Sequence, residues 1–149
     1  MSAELSPEEA LRIAVATRRA ATPPRVPGWF PVFMGGSFGL AMTAVGLSTL
    51  LDGNPTASAA LGITGVVLLV AHFGMYAEML RRWRRGGLVP LSDTYETRAR
   101  SRRTRWFMLA AVLVGGAFYL RGSVGWGSIS LGVIMGVETW YRLTGWTRP

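Results

Sequence analysis

Arg81-Arg82-Trp83-Arg84-Arg85-Gly86-Gly87, followed by Arg98, Arg100, Arg102, Arg103 and Arg105, is the stretch on which the reading of this chain turns. It holds nine of the sixteen basic residues and lies between long apolar runs. Moving a positive charge across a bilayer is costly, so loops crowded with Arg are held on the cytoplasmic side. The pattern predicts a multi-span membrane protein with residues 81–105 as its inner loop.

Four apolar segments surround that loop, at residues 30–51, 59–80, 106–120 and 124–141. A bilayer core needs ~20 helical residues, and the first two segments meet this. The third has fifteen residues before Arg121. Arg121 can snorkel outward, and a capping box at Asp93-x-x-Glu96 can start the helix earlier and lengthen its inner end. The fourth is short and rich in Gly. Asp52-Gly53-Asn54-Pro55 and Arg121-Gly122-Ser123 are turn signals, so each pair of spans closes as a helical hairpin. The predicted fold is all-α: an integral membrane bundle of four transmembrane helices over residues 29–149, preceded by a cytoplasmic segment, 1–28, with one short helix.

Ser6-Pro7-Glu8-Glu9 starts that short helix. Ser6 can cap, Pro7 suits the first helical position, and Glu9 completes a capping box. The apolar face of Leu11, Ala14 and Val15 is small, so a solvated helix is the expectation, ahead of an amphipathic one lying on the inner membrane face. The acidic residues Glu4, Glu8 and Glu9 and a first apolar run of about twenty residues argue against a secretory signal.

Orientation follows from counting. Fifteen Arg fall in the N-terminal segment, the middle loop and the C-terminal end, against Arg121 alone in the two outer turns. Both termini are therefore expected in the cytoplasm, with the protein in the cell's inner (plasma) membrane. Trp29, Trp83, Trp106, Trp140 and Trp146 mark predicted inner boundaries and Trp126 the outer one, as headgroup-level aromatic belts require.

Composition narrows the chemistry. The chain has no Cys, which excludes disulfides, thiolate metal sites and thiol nucleophiles. One His and no clustered carboxylates leave no conventional metal site. No nucleophile elbow, phosphate-binding loop or dinucleotide motif occurs, so neither an enzyme nor a cofactor is expected. All sixteen basic residues are Arg, a bias that a GC-rich, actinobacterium-like genome explains. The Arg loop has no base-reading motif beside it. Its expected partners are anionic lipid headgroups, met by Arg81, Arg82, Arg84 and Arg85, and not nucleic acid.

Helices in lipid associate by close backbone approach, so small residues four apart mark contact faces. Ser128, Gly132 and Gly136 form such a strip, as do Gly35 with Gly39 and Ala111 with Gly115. The strips pack spans within the monomer or against a second copy, and Gly127 lies off the strip. Trp29-Phe30 and Trp106-Phe107 both open a first span and Gly pairs follow at 35–36 and 115–116, which raises an internal duplication.

Ionisable side chains inside a membrane are functional candidates by default. His72 lies nine residues before Arg81, or ~13 Å at 1.5 Å per residue, near mid-membrane. It shares a helical face with Gly65, Leu69 and Tyr76. It is expected to be buried in the bundle, serving either a proton relay or a structural hydrogen bond to a carbonyl or hydroxyl of another span, such as Thr43 or Ser48. Glu138 is two positions from Gly136 and so is expected on nearly the opposite face from the strip, paired with Arg142. Glu78, with Arg81 and Arg82 three and four residues on, reads as an interfacial pair.

The layout resembles a loose group of small, uncharacterised four-span membrane proteins of actinobacteria. Ser6-Pro7-Glu8-Glu9-Ala10-Leu11, Pro27-Gly28-Trp29 before the first span, and the basic run 81–85 carry the likeness. The resemblance implies the topology and no activity or site. Small multidrug transporters share the size but depend on a Glu in the first span, and residues 30–51 carry no charge. The leading expectation is a non-enzymatic accessory or regulatory subunit working through helix or loop contacts with a partner membrane protein or its own copies. The alternative is a small oligomeric transporter or channel with His72 in its path.

Overall fold

The computed structural model describes residues 6–21, 27–51, 53–85 and 98–145, with side chains left out at 16–21, 83–85 and 98–101. Among the described residues the protein is all-α, with five helices and no strand: α1 (Pro7–Ala21), α2 (Phe30–Leu50), α3 (Pro55–Arg85), α4 (Arg98–Leu120) and α5 (Val124–Thr144). The second capping box, the Gly86-Gly87 pair, Trp146 and the side chains of Trp83, Arg84 and Arg85 lie outside the described residues.

Local chemistry sets the boundaries. The Glu9 backbone N–H donates to Ser6 Oγ at 3.2 Å, capping α1. α3 starts at Pro55, four residues before the start expected from hydropathy. Hydropathy misses it because the Asn54 side chain accepts from the Ala57 N–H at 3.1 Å, with Pro55 at the first helical position. α4 starts at Arg98, eight residues before its apolar run, and α3 runs on to Arg85, so all nine arginines of the expected basic loop ride on helix, four on α3 and five on α4. It ends where Gly122 adopts φ +74°. The Gly122 and Ser123 N–H groups bond back to Tyr119 and Phe118 at 2.9 Å, a Schellman close.

The helices form a row, α3–α2–α5–α4. α2 packs on α3 and on α5, and α5 packs on α4; among the described residues α3 makes no close backbone contact with α4 or α5, nor α4 with α2, and α1 packs on none of them. The expected closed bundle is thus opened into a layer. The row also lacks the symmetry of a duplication: exchanging the hairpins maps the central α2–α5 pair onto α4–α3, which do not touch.

Glycine explains the centre of the row. Gly35, Gly39 and Gly46 of α2 oppose Gly136, Gly132 and Gly125 of α5 in antiparallel register. A Cβ at Gly35 would stand 2.5 Å from the Gly136 carbonyl, and one at Gly46 2.5 Å from the Gly125 carbonyl. Only hydrogen fits, and the backbones touch. Gly65 plays the same part in the α2–α3 contact, 2.9 Å (from its would-be Cβ) from the Ala41 carbonyl. At the basic end, Phe30, Met34, Met79 and Leu143 close a small apolar cluster over α2, α3 and α5.

Outside the row the distribution inverts. Ile63, Val66, Val67, Val70 and Phe73 of α3 and Met108, Leu109, Val112 and Leu113 of α4 are exposed, while the buried positions include glycines, serines, His72 and Glu138. Two helices, α2 and α3 through Arg82, are long and apolar enough to cross a membrane. Of the apolar window in α3 only 11% is buried, against 44% in α2. α4 and α5 do not reach that standard, α4 because five of its first eight residues are Arg, α5 because Gly, Ser and aromatic residues dilute its Val, Ile and Leu.

Candidate functional site

The tight turn at 51–54 fixes what His72 meets. His72 lies eighteen residues after Asn54, and eighteen before it lies Gly36, next to Ser37. The Ser37 hydroxyl is 3.0 Å from His72 Nδ1, with both side chains buried. Ser37 Oγ also lies 3.4 Å from the Met34 carbonyl as a donor. The rings of Phe38 and Phe73 wall the imidazole at centroid distances of 5.5 and 5.3 Å.

His72 is thus buried and hydrogen-bonded to a hydroxyl of another helix, as expected, and that hydroxyl is Ser37 instead of Thr43 or Ser48. Thr43 lines a groove between α2 and α5 on the other side of α2. Ser48 is nearer the turn, where its hydroxyl donates to the Val45 carbonyl at 2.7 Å and its carbonyl accepts from Ser58 at 2.7 Å. Counting back from the turn would have found Ser37; helical periodicity alone does not. The buried face of α3 runs Gly65, His72, Met79, and Tyr76 stands off it at 39% exposure.

A Ser hydroxyl on a His ring is half of an activated-nucleophile arrangement. The orienting acid is missing: no carboxylate among the described residues bonds or pairs with His72. What the pair does chemically is satisfy two polar groups in an apolar layer, where an unmade hydrogen bond is expensive.

Glu138 lies off the glycine strip and beside Arg142, as expected, but it is deeply buried. It is 2% exposed, the most buried charge among the described residues. The face opposite the glycine strip is buried because α5 is flanked on two sides, by α2 and by α4. Gly132 and Gly136 meet α2, while Leu131 meets α4 at Gly115 and Tyr141 meets Arg103 and Phe107 of α4. Glu138 is in helical register with Leu131 and Tyr141 and belongs to the α4 side. Its Oε1 lies 3.1 Å from Arg142 Nε, and Oε2 accepts from the Thr139 hydroxyl at 3.3 Å. Arg142 Nε is buried and does not align as a hydrogen-bond donor, so the contact is a charge pair more than a directed bond.

Ser128 also divides from its strip: its hydroxyl is 3.0 Å from the Tyr119 hydroxyl of α4. Gly127, expected off the contact face, is packed as well, its would-be Cβ 3.0 Å from the Tyr119 ring. Glu78 pairs with Arg82 at 3.0 Å on the surface. Arg81 is exposed beside it.

The antiparallel order brings the described basic side chains Arg81, Arg82, Arg102, Arg103, Arg105 and Arg142 to one end of the row and Arg121 to the other. Exposed Trp29, Trp106 and Trp140 stand at the basic end and exposed Trp126 at the far end. Among the described residues no three His, Asp or Glu side chains gather as a metal site. No protein-family model, curated protein or solved structure matches the chain.

Proposed function

We propose that the chain is a four-span membrane protein of the plasma membrane, with both termini and the basic loop cytoplasmic, that acts without catalysis as an accessory or regulatory subunit. The observation that carries this reading is α3, a 31-residue helix whose apolar side chains are covered, among the described residues, by one neighbouring helix, α2. Each large apolar side chain left in water forfeits roughly 1.5–3 kcal/mol, so a solvent of lipid and the helices of a partner are what such a face fits. α4 and α5 count as spans on this reading because each is hairpinned to the row and antiparallel to a neighbour. The Arg and Trp positions then agree with an inner face at the basic end.

An interaction role ranks ahead of transport because His72 is enclosed by Ser37 and two Phe rings, and the centre of the row is packed backbone to backbone. A photo-crosslinking residue placed at Val66 or Val70 of α3 tests this in native membranes. Discrete protein adducts at these positions, and none at Val133 of α5, are expected. Lipid adducts alone at both would contradict the interaction role.

A further inference from the structure

We infer that the foot of the α4–α5 pair is a binding site for one anionic phospholipid, its phosphate held by Arg103 and Tyr141 and one acyl chain lying along Trp106, Phe107 and Ala110. This rests on the membrane reading above and goes beyond it by naming a site, a ligand class and the residues that select it.

Arg103, Trp106, Phe107, Ala110 and Tyr141 line an open groove of ≈ 450 Å³ between the two helices. Its polarity runs in one direction. At the basic end Arg103 Nη1 donates to the Tyr141 hydroxyl at 3.3 Å, which steadies the guanidinium above the groove. Tyr141 is itself set by Phe107, with ring centroids 6.1 Å apart. One turn further along α4 the walls are aromatic and apolar, and the exposed Leu113 and Val114 continue the surface. A cation and a phenol above a greasy slot repeat the order of a phospholipid, phosphate first and hydrocarbon after it.

Charge favours an anionic lipid over a zwitterionic one. Arg102 and Arg105 share this end of α4 with Arg103 and are exposed on its other faces, adding to the positive field there without lining the groove. The nearest described acid, Glu138, is turned inward against Arg142 and does not oppose an anion at the mouth. A guanidinium carries five N–H donors in a planar fork suited to phosphate, and the contact with Tyr141 uses one. Basic pockets between spans on the cytoplasmic side are where anionic headgroups bind. An exposed Trp106 at the same level supplies the amphipathic wall expected at an interface.

The test uses the full chain purified in mild detergent and phosphatidylglycerol against phosphatidylcholine, read as retained lipid by native mass spectrometry. Phosphatidylglycerol is expected to bind preferentially at one copy per chain. Arg103→Gln should weaken it about tenfold or more, since bonds to a charged group are the strong ones. Tyr141→Phe, which removes one oxygen and keeps the ring, should weaken it severalfold, and Arg121→Gln at the far end should leave it unchanged. Equal losses in Arg103→Gln and Arg121→Gln, or equal retention of the two lipids, would overturn the site. If Arg103→Gln does not fold, Tyr141→Phe decides alone, and unchanged retention in it overturns the site. Alkaline extraction of membranes is run beside it. A chain that stays in the membrane but shows no selectivity loses only the lipid site, whereas a chain released by alkali loses the membrane reading as well.

Discussion

The α2–α5 seam and the outer face of α3 are both apolar, yet they are built from opposite residues. At the seam, glycines bring backbones into contact and leave no room for a methyl group. On α3, Ile63, Val66, Val67, Val70 and Phe73 are each more than half exposed among the described residues. In water the large side chains would be gathered inside, because area removed from solvent drives folding. Where the solvent is hydrocarbon that drive vanishes between helices, and close packing of small residues takes its place. The contrast is what a protein folded in lipid should show.

Substitutions at the seam should have the largest effects. Gly136→Leu sets a side chain against Gly35 and Gly39, the first carbonyl only 2.7 Å from its Cβ. Overpacking costs about 1–3 kcal/mol where neighbours can shift and more where they are backbone, so loss of the monodisperse species in detergent is expected. Gly36→Leu, one position from Gly35 and with nothing within 4 Å of its Cβ, should behave as wild type. Equal behaviour of the two would erase the distinction between seam and surface.

The next effect is electrostatic. Glu138→Ala strands the partly buried Arg142. Removing one partner of a fully buried pair costs about 3–5 kcal/mol, and the 37% exposure of Arg142 places the expectation at or below the lower end. A fall in detergent unfolding midpoint that Arg142→Ala partly restores in the double variant would show the coupling. Full additivity of the two changes would contradict it.

Smaller again is the pair His72–Ser37. Ser37→Ala and His72→Leu should each destabilise by about 0.5–1.5 kcal/mol, the scale of single interhelical hydrogen bonds in membranes. His72→Gln, which still donates and accepts, should be tolerated. Loss of folding with His72→Gln would point to a role beyond packing. Least of all, Val70→Ala on the open face of α3 should stay within about 0.5 kcal/mol, as exposed substitutions do.

Much of this architecture is written locally. Ser6, Asn54 and Gly122 start or stop helices through their own side chains or backbone, whereas the Arg blocks at 81–85 and 98–105, read as loop from their charge, are helical. Neighbour order is not local. The burial of Glu138 is not legible from the glycine strip, which marks one buried face of α5, whereas a helix in the middle of a row buries two. The inward face of His72 and its need for a polar partner on another helix are legible in the sequence, but which hydroxyl it meets is not: face periodicity says which way a side chain looks, and only the length of the turn says how far along the partner it lands.

The row of helices also separates two topologies. If α2 and α3 alone cross the membrane, the turn between α4 and α5 stays on the side of the basic loop. If all four cross, it emerges on the other side with the first turn. The chain has no native Cys, so single cysteines at Asn54, Pro90 and Ser123 can be probed in intact cells with a membrane-impermeant maleimide. The four-span account predicts labelling at 54 and 123 from outside, and at 90 only after the membrane is opened. Protection of position 123 in intact cells while 54 reacts would contradict it and leave a two-span protein in its place.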